Sequence, residues 1–307
     1  MGGIGGWFYL RSSSTDYCEE LSQDKRIQGF LGSGRGENSD CSRLGSAIRR
    51  ATTGDKAGRH TLRQAQAMKN VLVAVNDVTS EGRGRLDEAL AVPLAEAISD
   101  YMPDVYQILP PGNIDYVRAG VDSEPPWQDD DGVHMSMFSV SLIRVMRHIS
   151  DSPAAYVELR DTVSQHAAAL FATVPREGEE WRFESPTRET AYVLGALDAV
   201  AEDVRKDLGD DGWKDWSTDV FSRMTKTTSP LPSYGDDPAG HIEISWRQRL
   251  RAADQKNMLT RFETQATDMV QVWGKSAALH SELQQSLLKT ARDVSVLGLH
   301  ETARDLS

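Results

Sequence analysis

The stretch from Leu259 to Val294 reads LTRFETQATDMVQVWGKSAALHSELQQSLLKTARDV. Its apolar side chains recur at intervals of three, four, seven or ten residues, which are single or summed steps of three and four, at Leu259, Phe262, Ala266, Met269, Trp273, Leu283, Leu287 and Val294. This is the period of one face of an α-helix, and a stripe of this length needs a surface to pack against. The stretch therefore predicts a long amphipathic helix that packs on the rest of the chain or on a partner.

The same period recurs through most of the remaining sequence. It is found in residues 61–78, 85–101, 138–149, 153–174 and 193–208. Asp151-Ser152-Pro153 and Ser185-Pro186 are helix start signals, in which a capping side chain precedes a proline, and Gly209 is a stop signal. Strand-like alternation is scarce. These patterns predict a mainly α fold, an irregular multi-helix bundle with a long C-terminal amphipathic helix.

Composition divides the chain into four parts. Residues 1–42 are rich in glycine and serine and predict a loosely structured N-terminal arm. Residues 43–225 are predicted to form a helical domain. Residues 226–241, KTTSPLPSYGDDPAGH, contain three prolines and two glycines and predict a linker. Residues 242–307 are predicted to form a C-terminal helical arm that packs on the domain or on a partner.

Charge and hydropathy limit the classes of partner. The formal net charge of −12 opposes non-specific binding to nucleic acid, because phosphate attraction needs clustered lysine and arginine. No stretch approaches the roughly 20 apolar residues that span a bilayer, so no membrane span is expected. The first ten residues, MGGIGGWFYL, lack the basic segment of a signal peptide. We therefore expect a cytoplasmic protein, or one exported without a cleavable signal peptide.

The two cysteines, Cys18 and Cys41, both lie in the glycine- and serine-rich N-terminal region. Two thiols cannot form a structural zinc site unaided, and one bridge in a chain this long is not a disulfide framework. Two free thiols in a reduced cytoplasm are the favoured interpretation. A single disulfide between them remains the alternative.

Residues 110–133 contain prolines, glycines and the acidic run QDDDG at 128–132, and they predict a long loop. Asp129–Asp131 could attract a cation. The EF-hand template fails, because Trp127 occupies its first ligand position. A solvated acidic loop is the favoured interpretation, and a helical enzyme with a metal-assisted site in this loop is an alternative.

Motifs for the common chemistries are missing from the sequence. It holds no phosphate-binding loop with Gly-Lys-Ser/Thr after a glycine-rich turn, no His-Glu-x-x-His and no Gly-x-Ser-x-Gly. No two of the seven histidines are three or four residues apart, the spacing of metal ligands on a helix. The sequence therefore assigns no catalytic, cofactor-binding or metal-binding residue, and no cofactor is expected.

The order of several short motifs over roughly residues 7–290 resembles a family of uncharacterised, mainly actinobacterial helical proteins. The motifs are Leu44-Gly-Ser-Ala-Ile48, Ala51-Thr-Thr-Gly54, Leu94-Ala-Glu-Ala-Ile98, Tyr101-Met-Pro-Asp-Val105, the helical stretch 138–149, Asp151-Ser-Pro-Ala-Ala-Tyr156 and Leu194-Gly-Ala-Leu197. Members of that family are associated with type VII-like secretion and polymorphic toxins. The resemblance implies a secretion-associated helical protein and carries no catalytic residue.

These observations predict a non-enzymatic helical scaffold or interaction protein, an accessory part of a secretion or toxin-related system. Its partner would be another protein or a second copy of the chain. The predicted partner-binding residues are those of the C-terminal stripe, Phe262, Met269, Trp273, Leu283 and Leu287. The alternatives are a structural subunit of a phage-like or secretion particle and the helical enzyme with a site in the acidic loop.

Overall fold

The structure of the chain is a computed structural model. It describes residues 14–31, 40–54, 57–80, 85–120, 124–175, 178–226 and 229–307. The aromatic patch at 7–10 and the glycines at 32, 34 and 36 lie outside these ranges. Within them the chain forms fourteen α-helices, one 3₁₀-helix and one two-stranded hairpin, so the mainly α multi-helix prediction is confirmed.

The first half of the chain contains nine helices and the hairpin. They are α1 (Ser14–Gln23), α2 (Lys25–Leu31), α3 (Cys41–Thr52), α4 (Leu62–Ser80), α5 (Glu88–Asp100), α6 (Met102–Ile108), α7 (Ile114–Ala119), β1 (Trp127–Gln128), β2 (Val133–His134), α8 (Ser139–Ile149) and α9 (Pro153–Thr173). The second half contains α10 (Trp181–Lys226), α11 (Pro238–Ala252), the 3₁₀-helix Gln255–Asn257, α12 (Met258–Glu263), α13 (Gln265–Ser276) and α14 (Ser281–Leu306).

The start and stop signals are only partly correct. Ser152 caps α9 by accepting a hydrogen bond from the Ala155 amide, as the sequence predicts. Gly209 interrupts α10 with φ 64° and ψ −178°, a backbone conformation that glycine adopts at little cost. By contrast, α10 begins at Trp181 rather than at Ser185. Pro186 therefore lies inside the helix as its sixth residue, past the first turn, so it removes one hydrogen bond from the helix.

The predicted single helix over 259–294 is three helices, α12, α13 and α14. The main break lies between α13 and α14, where Ala278 has a positive φ of 56° and the His280 ring accepts a hydrogen bond from the Leu283 amide. Helical spacing on either side of a turn preserves the apolar period, so the sequence pattern does not reveal the turn. The long C-terminal helix itself, α14, is present.

The centre of the fold is the contact between α10 and α14, which run together over much of their length. Two glycines allow their backbones to meet. A Cβ atom at Gly195 would overlap the carbonyl of Ser295, and a Cβ at Gly298 would overlap the carbonyl of Tyr192. Because the two glycines lie on opposite helices, each backbone fits against the other with no intervening side chain.

Helices from both sides of the predicted linker share one core. Helix α10 ends at Lys226 and α11 begins at Pro238, which places residues 238–241 in a helix. Helix α11 packs on α9, and α14 packs on α10. One hydrophobic core extends from Tyr17 to Val294. In the described part of the chain, no helix is long and apolar enough to cross a membrane.

The N-terminal region departs from the prediction in two ways. Residues 14–31 form helices α1 and α2, with Leu21 and Ile27 fully buried in the core. Cys18 and Cys41 are joined by a disulfide, with their Cα atoms 5.2 Å apart, so the expectation of free thiols is wrong. The two cysteines are brought together because α1 and the start of α3 pack side by side, a contact that sequence spacing does not show.

Candidate functional site

The five predicted partner-binding residues lie in the core. Phe262, Met269, Trp273, Leu283 and Leu287 are all at most 8% exposed. The indole of Trp273 stacks on the ring of Phe171, with ring centroids 4.8 Å apart. The apolar stripe therefore packs on the rest of the chain. This is the first of the two possibilities that its spacing leaves open, the other being a partner protein. In the folded chain these side chains are not accessible to a second protein.

An outward-facing apolar surface lies instead in the segment predicted as a long loop. Residues 114–119 form helix α7, whose start is capped by the Asn113 side chain accepting from the Asp115 and Tyr116 amides. Tyr116 points into the core, whereas Ile114 and Val117 are each 66% exposed. These two residues lie three apart and therefore on the same side of the helix. We call this exposed pair, Ile114 and Val117, the α7 ridge.

A buried carboxylate fixes α7 in place. Asp104 of α6 is 3% exposed, and its Oδ1 accepts a hydrogen bond from the Tyr116 hydroxyl at 2.6 Å. Its Oδ2 accepts from the Met135 amide at 2.9 Å. The Nδ1 of His134 lies 3.0 Å from Asp104 Oδ1. One side chain therefore ties α6 to α7 and to the end of the hairpin.

The acidic run is the turn of that hairpin. Trp127 pairs with His134 and Gln128 with Val133. The Oδ1 of Asp129 accepts hydrogen bonds from the amides of Asp131 and Gly132, which shapes the turn locally. Among the described residues, no group of three or more histidine, cysteine or acidic side chains is placed to hold a metal ion.

His134 is clamped between two carboxylates. Its Nε2 lies 2.9 Å from Asp129 Oδ1, opposite the bond of its Nδ1 to Asp104. The hydrogen bond with Asp104, supported by that with Asp129, outweighs burial and raises the pKa of His134 to about 9. The ring is therefore an imidazolium at neutral pH. With both nitrogens donating to carboxylates, it holds the hairpin in place and has no free nitrogen to act as a base.

Raising the pH through 9 is expected to release this clamp. The pKa of His134 in the folded chain lies above its ordinary value of 6.5. The stabilisation is therefore complete below pH 6.5 and is lost as the pH rises through about 9. We expect NMR titration of the His134 ring to give a midpoint near 9, and Asp129→Asn to lower that midpoint. Asp115→Asn, the control, should leave it unchanged. A wild-type midpoint near 6.5 would contradict the clamp.

Two depressions flank the α7 ridge. One, of about 300 Å³, lies where α6 and the following turn meet α10 and α14, and its walls include Tyr106, Pro110, Pro111, Asn113, Tyr192 and Leu297. The other, of about 600 Å³, is shallower and is lined by Asp115, Arg118, Glu124, Pro125, Pro126 and Trp127. Asn113 borders the first and Asp115 the second. The ridge therefore separates two concave surfaces with partly apolar walls.

Sequence reasoning missed this site for an identifiable reason. The Asp-Gly pair at 131–132 within an acidic run is a hairpin signal, and it would have placed Asp129 near His134. Nothing in the sequence joins Asp104 to His134, since they lie on different elements and meet only through the fold. The exposed apolar positions of α7 resemble any short apolar segment within a loop.

No family model, no curated protein and no solved structure matches the chain in any of the three comparisons. The geometry of the site is therefore the observation from which a function can be argued.

Proposed function

We propose that the chain is a non-enzymatic helical interaction protein that binds a protein partner at the α7 ridge. The observation that carries this proposal is the exposure of Ile114 and Val117, each 66% exposed, on a helix that a buried hydrogen-bond network holds fixed. Large apolar side chains arranged on a rigid surface favour association, because little conformational entropy is lost on binding.

The charges around the ridge favour a basic partner. The side chains of Asp115 and Asp129 are 70% and 50% exposed, and Glu124, Asp130 and Asp131 are exposed too. Among the described residues that line the two depressions beside α7, the cations are Arg118, which pairs with Asp115 at 3.2 Å, and Arg188, which lines the first depression together with Glu189. The chain as a whole has a net charge of −12. We therefore propose an amphipathic helix with lysine or arginine beside its apolar face as the bound segment.

The disulfide supports the exported alternative for this protein. Disulfides persist in oxidising compartments and are rare in a reduced cytoplasm. Cys18 is fully buried and Cys41 is 8% exposed, so the bond belongs to the folded core. We propose that the chain works outside the cytoplasm, in keeping with the secretion-associated family that its motifs resemble.

The test is a comparison of tagged chains purified from the native cells. Ile114→Glu/Val117→Glu places two charges on the ridge, and Leu62→Glu is the control, since Leu62 is another exposed apolar helix residue at 47%. We expect a stoichiometric partner with the wild type and with Leu62→Glu. For the double variant we expect binding weaker by about thirtyfold, the effect of losing an interface hot spot.

The purified pair then shows whether the partner has the proposed chemistry. Its affinity is expected to fall between about 0.1 and 1 M salt, because the Debye length shortens from about 10 to 3 Å. Light scattering separates a hetero-complex from self-assembly into a particle, the second function open to this chain. Equal capture of the partner by the double variant and the wild type, with both folded, would contradict binding at the α7 ridge. A wild-type monomer that captures nothing would contradict it too.

A further inference from the structure

A serine and a histidine meet where the first turn of α11 packs against the end of α13. Ser276 is the last residue of α13, and His241 lies in the first turn of α11. The Oγ of Ser276 is 3.2 Å from the Nε2 of His241. Both residues are partly exposed, so the pair lies at the surface rather than in the core.

A backbone carbonyl determines which nitrogen of His241 can act as a base. The Pro232 carbonyl oxygen lies 2.8 Å from Nδ1, and a carbonyl only accepts hydrogen bonds, so Nδ1 carries the ring hydrogen. In the neutral imidazole Nε2 is then the free acceptor, and the Ser276 hydroxyl donates to it. The hydroxyl hydrogen is therefore already bonded to the nitrogen that would remove it.

The bond to a histidine sets Ser276 apart from other helical hydroxyls of this chain. The hydroxyls of Thr52, Ser150, Ser164 and Thr187 each donate to the backbone carbonyl four residues earlier. A carbonyl oxygen is too weak a base to take a hydroxyl proton, whereas an imidazole can take it as the oxygen attacks an electrophile. A hydroxyl, its base and a group that orients the base are the parts of an activated nucleophile.

The turn after α13 holds Ser276 in this position. Gln284 of α14 donates through Nε2 to the carbonyls of Gly274 and Leu279, which lie on either side of Ser276 in the sequence. These contacts fix the backbone without involving the serine hydroxyl. A nucleophile held in one geometry loses little entropy on the way to the transition state.

We propose that Ser276 is a modification site that takes an acyl group from an activated ester, with His241 as its general base. The Ser276 oxygen bonds to the acyl carbon while His241 Nε2 takes the hydroxyl proton. The bond from the acyl carbon to the leaving oxygen then breaks, and Nε2 passes the proton to that oxygen. The products are an ester at Ser276 and a free alcohol or phenol. This activity goes beyond partner binding and shares no residue with the α7 ridge.

The experiment treats the full chain with p-nitrophenyl acetate and follows acetylation residue by residue with peptide mass spectrometry. Hydroxylamine distinguishes the products, because it removes acetyl groups from serine esters and leaves acetylated lysines intact. His241→Gln keeps a polar amide near the position of Nε2 and cannot take a proton. His300→Gln is the matched control, because His300 is an exposed histidine of α14. Circular dichroism shows whether each variant is folded.

We expect the wild type and His300→Gln to gain a hydroxylamine-sensitive acetyl group at Ser276, about 100-fold faster than at Ser222, an exposed serine of α10. In His241→Gln the rate at Ser276 should fall about 100-fold. A wild type in which Ser276 reacts no faster than Ser222 would overturn the proposal, and so would an equal rate at Ser276 in folded His241→Gln. Should His241→Gln fail to fold, the comparison of Ser276 with Ser222 in the wild type decides the matter.

Discussion

Replacing Arg160 by methionine is expected to lower the free energy of unfolding by about 3–5 kcal/mol, the usual cost of leaving a buried charge without its partner. Arg160 of α9 is fully buried, and its Nη1 donates to Asp198 Oδ1 at 2.7 Å. Nη1 also donates to the Tyr156 hydroxyl, and Nε donates to Gln265. The guanidinium carbon lies 3.7 Å from the ring centroid of Phe262. Without Arg160, the 2% exposed Asp198 loses its counterion and must either stay ionised without one or take up a proton.

The double variant Arg160→Met/Asp198→Leu separates the contribution of the ion pair to stability from that of the packing around it. Buried ion pairs are frequently replaced by apolar side chains with little loss, so we expect it to recover most of the stability. Urea unfolding followed by circular dichroism gives the three free energies. A single variant as stable as the wild type would contradict this account, and so would a double variant less stable than Arg160→Met.

The loss of unfolding free energy in Arg160→Met is also expected to depend on pH. Burial raises the pKa of Asp198, and Arg160 opposes this rise in the wild type. In the variant the folded-state pKa lies further above the unfolded value, so the folded chain holds a proton that the unfolded chain has released. Stability is then lost as the pH rises through that interval. The difference in unfolding free energy between Arg160→Met and the wild type should therefore be smaller in acid than at neutral pH.

The second large effect is expected from the Cys18–Cys41 disulfide. Reducing it should lower the free energy of unfolding by about 3 kcal/mol, because the bond closes a loop between residues 23 apart and restricts the unfolded chain. Cys18→Ala/Cys41→Ala should show the same loss and no further response to reductant. The measurement is urea unfolding with and without tris(carboxyethyl)phosphine, with thiols counted by alkylation and mass spectrometry.

Two results would contradict the disulfide's part in the fold. One is a chain from its native compartment with both thiols free to alkylate after denaturation without reductant. The other is equal stability of the oxidised and reduced chains. Because Cys18 is fully buried, reduction in the folded state should also be slow compared with reduction in urea.

The sequence predicts which faces of the helices are buried but not what covers them. Helix spacing marks Phe262 and Trp273 as apolar, and it cannot distinguish a partner protein from α9 and α10 of the same chain. Capping and stop signals at Ser152 and Gly209 are local, so they are predicted correctly. Pro186 and the turn before α14 are misread because helical spacing continues on both sides of each, so the apolar period does not reveal where a helix begins or breaks.

The charged residues of the site and the core are harder to predict from the sequence than the apolar ones. A charge in an amphipathic pattern is usually solvated, yet Arg160 is fully buried and Asp104 is 3% exposed. Each is satisfied by residues distant in the sequence, Arg160 by Asp198 and Gln265, Asp104 by Tyr116 and Met135. Such networks depend on three-dimensional proximity, which no local spacing encodes. The α7 ridge was missed because its helix is only six residues long.

The close meeting of α10 and α14 bears on how the protein is made in the cell. During synthesis α10 leaves the ribosome well before α14, so its inner face stays uncovered until α14 emerges. Contacts between segments so distant in the sequence form late, and exposed apolar surface attracts chaperones and other unfinished chains. A nonsense mutation anywhere before α14 should therefore yield an aggregation-prone chain for quality control to degrade, not a shorter working protein.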